Sequence, residues 1–61
     1  MKLRGEDFRI DRYRTASGAV GVRVIHLPTG LSASVDDQPT AVENRERALN
    51  ILRQELARRD A

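Results

Sequence analysis

Val20-Gly21-Val22-Arg23-Val24-Ile25-His26-Leu27, then Pro28-Thr29-Gly30, then Leu31-Ser32-Ala33-Ser34-Val35: the reading of this stretch decides the fold. Valines recur at every second position of its first part, and Leu-Ser-Ala-Ser-Val alternates apolar with small polar residues. Both are the period of a strand that buries one face. Pro28-Thr29-Gly30 between them is a short run of turn formers. Residues 20–27 and 31–35 are therefore predicted to pair as an antiparallel hairpin.

Upstream, Phe8-Arg9-Ile10-Asp11-Arg12-Tyr13-Arg14 also alternates, with Phe8 and Ile10 on one face. Tyr13 falls on the other face, so this strand, 8–14, is expected to bulge or end near Arg12. Thr15-Ala16-Ser17-Gly18-Ala19 is a turn of small residues. Downstream, Asp36-Asp37-Gln38-Pro39 ends the sheet, and Thr40-Ala41-Val42-Glu43 has capping-box spacing. From there to about Arg59 the period is helical: Ala41, Ala48, Leu49, Leu52 and Leu56 form one apolar stripe. Glu43 with Arg47 and Glu55 with Arg59 stand at i,i+4 spacing, and Arg58 and Arg59 suit the negative end of the helix dipole. The expected class is α+β: a small three-stranded antiparallel sheet in β-β-β-α order, covered by one C-terminal amphipathic helix over 41–59, as a single domain of residues 1–61.

Composition narrows the chemistry. The 61 residues are 39% hydrophobic with one Phe, one Tyr and no Trp, so the core must be aliphatic. A chain this short buries only about 60% of its unfolded surface and commonly leans on a partner or on a second copy of itself. Without cysteine there are no disulfides, thiolate metal sites or cysteine nucleophiles. Met1-Lys2-Leu3-Arg4-Gly5-Glu6 has no apolar leader core, and no run approaches the ~20 apolar residues of a membrane span. The expectation is a soluble, cytoplasmic protein with no membrane role.

Ten arginines stand against one lysine, which favours forked contacts to carboxylate or phosphate. Residues 1–34 carry six bases (Lys2, Arg4, Arg9, Arg12, Arg14, Arg23) against three acids, and residues 35–61 carry five bases against six acids. Arg9, Arg12, Arg14 and Arg23 are thus candidate phosphate contacts, or edge charges that discourage sheet-to-sheet association. By strand parity Arg12 and Arg14 share a face, and Arg9 and Arg23 fall elsewhere. His26, the only histidine, has no nucleophile or ligand set beside it, so a structural or RNA-stacking role outweighs catalysis. Asp36 and Asp37 are adjacent and point apart in an extended chain, which is no carboxylate dyad. The glycines have neither dinucleotide-fold nor P-loop spacing. No metal site, cofactor or catalytic constellation is expected.

Three segments carry a family resemblance. Asp7-Phe8-Arg9-Ile10-Asp11-Arg12-Tyr13-Arg14-Thr15-Ala16-Ser17-Gly18 resembles a strand and loop entry of the peptidyl-hydrolase domain of class I peptide chain release factors and related ribosome-rescue hydrolases, with Thr15 as an extra residue. Val22-Arg23-Val24-Ile25-His26-Leu27-Pro28-Thr29-Gly30 is similar to that family's signature hairpin. Glu43-Asn44-Arg45-Glu46-Arg47-Ala48-Leu49 resembles the start of its C-terminal helix. In the family, Ser-Gly leads into a loop bearing Gly-Gly-Gln, the tripeptide that assists water attack on the peptidyl ester. Here Ser17-Gly18 leads through Ala19-Val20-Gly21 directly into the next strand, and roughly nine family positions have no counterpart. The family's Arg-Ser-Gln before the helix is replaced by Pro39-Thr40-Ala41.

The resemblance implies the scaffold without the catalytic loop. It implies a non-catalytic, release-factor-like protein of translation or ribosome rescue. Such a protein would bind the ribosome or ribosomal RNA through Arg9, Arg12, Arg14, Arg23 and His26. The alternative is a protein–protein interaction module, or a self-associating homo-oligomer, without an RNA role. An active peptidyl-tRNA hydrolase ranks third.

Overall fold

The computed structural model describes residues 7–60. Residues 1–6 and 61, among them the charged Lys2, Arg4 and Glu6 of the sequence reading, lie outside the described residues. Strand β1 (Phe8–Arg14), strand β2 (Val20–His26), strand β3 (Leu31–Val35) and helix α1 (Ala41–Asp60) follow one another in that order. The strands form a three-stranded antiparallel sheet in the order β1-β2-β3. This is the α+β architecture that the alternation and the helical stripe predict.

Register settles two details. Phe8 pairs with His26 and Arg14 with Val20 without interruption, so β1 neither bulges nor stops at Arg12. Tyr13 faces away from Phe8 because it belongs to the outer face, where its ring lies across Gly21. A Cβ on Gly21 would fall on that ring, so an aromatic residue covers the glycine opposite it. The second strand ends at His26 rather than Leu27. The chain turns there, with the Gly30 N–H donating to the His26 carbonyl at 2.8 Å and the Leu27 N–H reaching the Asp7 carbonyl at 2.8 Å. Gly30 sits at φ +75° to close this turn, a region that costs a side chain with a Cβ about 1 kcal/mol.

The core lies between one sheet face and the helix. Val22 and Val24 of β2, Ala33 and Val35 of β3, and Ala48 and Leu52 of α1 are buried together, with Phe8, Leu31, Ala41 and Leu49 packed around them. Leu56 is buried as well. The apolar stripe read from the sequence thus faces the sheet. Thr40 caps the helix, its Oγ1 accepting the Glu43 N–H at 3.1 Å. Of the expected helix-surface ion pairs, Glu55 meets Arg58 at 3.4 Å instead of Arg59. Among the described residues no Glu43–Arg47 pair forms, and Arg45 meets Glu46 at 3.7 Å. All these side chains are solvated, where such pairs contribute ~0–1 kcal/mol.

The helix packs on β2 and β3 and barely touches β1. Ile10, on the same face as Phe8, therefore stays 47% exposed.

Candidate nucleic-acid interface

The arginine set divides between the two faces of the sheet. Register places Arg12 opposite Val22 and Arg14 opposite Val20, on the side of the buried valines and of α1. Arg9, opposite Ile25, and Arg23, opposite Asp11, lie on the outer face. Parity had separated them in this way. On the outer face Asp11 stands between the two cations: Arg9 Nε meets Asp11 Oδ1 at 3.3 Å, and Arg23 Nε donates to Ser34 Oγ at 3.3 Å. That surface is mixed in charge.

The helix-side surface is cationic. Arg12 and Arg45 line one depression together with Ile10, Val22, Ala41 and Val42. Arg14 lies one strand step beyond Arg12 and donates through Nη1 to the Gly18 carbonyl at 3.3 Å. Arg45 was absent from the sequence-derived set. Its signal was its place one helical turn after Ala41, on the border of the apolar stripe nearest β1.

His26 differs from the other members of the set. It is buried (1% exposed) on the core face that Val22 and Val24 define. Its Nδ1 pairs with Thr29 Oγ1 at 2.9 Å, and its ring lies 5.1 Å from that of Phe8, tilted by 50°. Thr29 Oγ1 also accepts the Leu31 N–H at 3.2 Å. The imidazole thus ties the β2–β3 turn to the core, which is the structural role.

The β1–β2 connection closes on itself. The Thr15 N–H donates to the Ala19 carbonyl at 2.9 Å, and the Gly18 N–H to the Thr15 carbonyl at 3.0 Å. Thr15 Oγ1 accepts the Ala19 N–H at 3.1 Å and shares a hydrogen bond with Ser17 Oγ at 3.0 Å. Gly18 takes φ +89° with open space around it. This is a tight turn ending in a left-handed glycine, a favoured short hairpin closure. Its hub is Thr15.

Asn44 is the residue that sequence reasoning passed over. It is buried (1% exposed) on α1. Its Nδ2 donates to the Val20 carbonyl at 2.7 Å, and its Oδ1 accepts the Gln38 N–H at 2.9 Å. One amide therefore joins the helix, the start of β2 and the loop before the helix. Among the described residues no group of three or more His, Asp or Glu side chains is placed to hold a metal ion. None of the described helices is long and apolar enough to cross a membrane.

Comparison with known proteins gives sequence relatives and nothing else: no protein-family model matches the chain, and no solved structure does. Peptide chain release factor 1 of Arabidopsis thaliana mitochondria is 44% identical over 62 positions, covering 85% of this chain and 14% of the relative. Peptide chain release factor 1 of Rickettsia prowazekii is 40% identical over 65 positions, covering 92% and 18%. Peptide chain release factor 2 of Lactiplantibacillus plantarum is 42% identical over 69 positions, covering 98% and 18%. The chain is a partial homologue of the peptide chain release factors. The release-factor-like segment spans less than a fifth of the length of these curated relatives. The alignment to the Rickettsia protein runs over 65 positions but draws on 92% of the 61 residues, which leaves about nine positions where only the relative has a residue. This homology brings translation into the reading of the interface.

Proposed function

We propose that this chain is a non-catalytic, release-factor-like component of translation or ribosome rescue that binds ribosomal RNA through the arginines of β1 and Arg23. The observation that carries the proposal is the closed β1–β2 turn. The Thr15 N–H donates to the Ala19 carbonyl and Thr15 Oγ1 accepts the Ala19 N–H across a five-residue connection, at the place where the resembling family carries its Gly-Gly-Gln loop. No Gly-Gly-Gln tripeptide occurs in the sequence, and the gap of about nine positions against the Rickettsia relative agrees with a loop of that size. Catalysis of ester hydrolysis needs a group held at the reacting carbon, and a turn pinned to its own hairpin has no reach. The arginines supply positioning contacts to phosphate, which require no base recognition. A cytoplasmic location is part of this proposal.

The test is co-sedimentation of the tagged protein with ribosomes on sucrose gradients at low and high salt. The expected result is binding that falls as salt rises and is lost when Arg9, Arg12 and Arg14 are replaced together by Ser. Binding indifferent to both sinks the RNA reading. Release of peptide from a model peptidyl ester by the purified chain sinks the non-catalytic one.

A further inference from the structure

We infer that the β1 edge and the adjoining depression under the start of α1 form a docking site for an extended acidic segment of another protein, added to the sheet as a fourth strand. The sheet order leaves β1 paired on one side only, so backbone N–H and C=O groups on its other side are open to a strand partner. Over its seven residues β1 has no proline, and its register runs without a bulge. Those are two of the usual devices that blunt an edge. The face beside this edge is also uncovered, because α1 packs on β2 and β3. Two large apolar side chains stand in the open there, Ile10 (47% exposed) and Val42 (58% exposed). They share one depression with Arg12 and Arg45.

The combination selects the occupant. Ile10, Arg12 and Arg14 follow one another at every second position on one face of β1. A strand laid beside them would present an apolar side chain opposite Ile10 and carboxylates opposite Arg12 and Arg14, with its main chain bonded to the open edge. Backbone bonds supply affinity in such strand addition, and alternate side chains supply selectivity. On the helix Glu46 sits on Arg45, and Asp11 lies on the opposite sheet face with Arg9; among the described residues Arg12 forms no ion pair. A phosphodiester chain would use the arginines but gain nothing from Ile10, Val42 or the open main chain. A second copy of this chain would set a strand bearing three arginines and one aspartate against its own like, which repels.

The inference does not rest on the RNA reading, and the experiment separates the two. The full chain is titrated with a synthetic peptide, Thr-Glu-Thr-Glu-Thr-Val-Thr, while backbone amide NMR signals are followed. The expected result is shifts along β1 and at Val42 and Arg45, absent with a peptide N-methylated at its central Glu, which removes a main-chain donor to the edge and keeps the charge. Ile10→Ser and Val42→Ser sit on exposed side chains and leave the remaining spectrum in place. Together they are expected to weaken the peptide on the order of tenfold, and Arg12→Ser with Arg45→Ser to do the same. Two results overturn the inference. One is no shift in β1 at millimolar peptide. The other is shifts that oligouridylate reproduces and the Ile10 and Val42 variants leave unchanged, which makes the face an anion surface only.

Discussion

At the scale of single residues, Asn44 carries more of the fold than its type suggests. Its side chain satisfies the Val20 carbonyl and the Gln38 N–H, both in part-buried hydrogen bonds. Leaving a buried polar group unpaired costs about 1–3 kcal/mol, so Asn44→Ala and Asn44→Leu should both destabilise by that amount in urea titration, the bulk of Leu giving no relief. Tyr13 and Gly21 make a second pair. Gly21→Ala forces the Tyr13 ring off the sheet and should destabilise the wild type by about 1–3 kcal/mol. In a Tyr13→Ala background the same change should cost almost nothing, a coupling that a double-mutant cycle measures. Asn44 and His26 left traces in the sequence. Asn44 interrupts the stripe between Ala41 and Ala48, where a polar residue on an apolar face needs a partner. Parity from Val22 and Val24 likewise put His26 on the core face. The Asn44 trace does not name its partner, because Val20 lies 24 residues away and such a contact exists only after the helix crosses the sheet.

At the scale of elements, the strands and helix were readable because each is locally consistent: alternation in β2 and β3, a cap at Thr40, a stripe from Ala41 to Leu56. The end of β2 moved to His26, where a turn bond decides it, and the helix runs one residue further, to Asp60. What the sequence could not supply was the lateral position of the helix, since the same stripe covers β2 with either neighbour. Its choice of β3 leaves Ile10 in the open and creates the depression beside Arg12. The cap is a direct test of the helix start: Thr40→Ala should cost about 1 kcal/mol, read by circular dichroism on thermal unfolding. Gly18→Ala and Gly30→Ala should each cost about 1 kcal/mol. Both glycines have open space around them, so backbone conformation alone sets the penalty.

At the scale of the whole molecule, one helix covers one face of the sheet, and the core is a single layer of valine, alanine and leucine. Domains of 61 residues have a total stability of roughly 3–9 kcal/mol. Leu52, almost fully enclosed at 1% exposure, is the largest side chain of that layer. Leu52→Ala should cost about 2–5 kcal/mol and leave a substantial unfolded fraction at ambient temperature, seen as a lost or strongly lowered urea midpoint.

The closed β1–β2 turn also bears on how quickly the molecule assembles. Neighbouring strands are joined in sequence by short turns, so the sheet can zip from one end with few long-range closures, the regime of rapid folding. Inserting nine flexible Gly and Ser residues after Ser17 would enlarge the five-residue β1–β2 closure almost threefold. That adds about 1 kcal/mol of chain entropy, and stopped-flow refolding should slow accordingly while the unfolding limb stays where it was. The two hairpins close over five and four residues, so folding can begin at either end of the sheet.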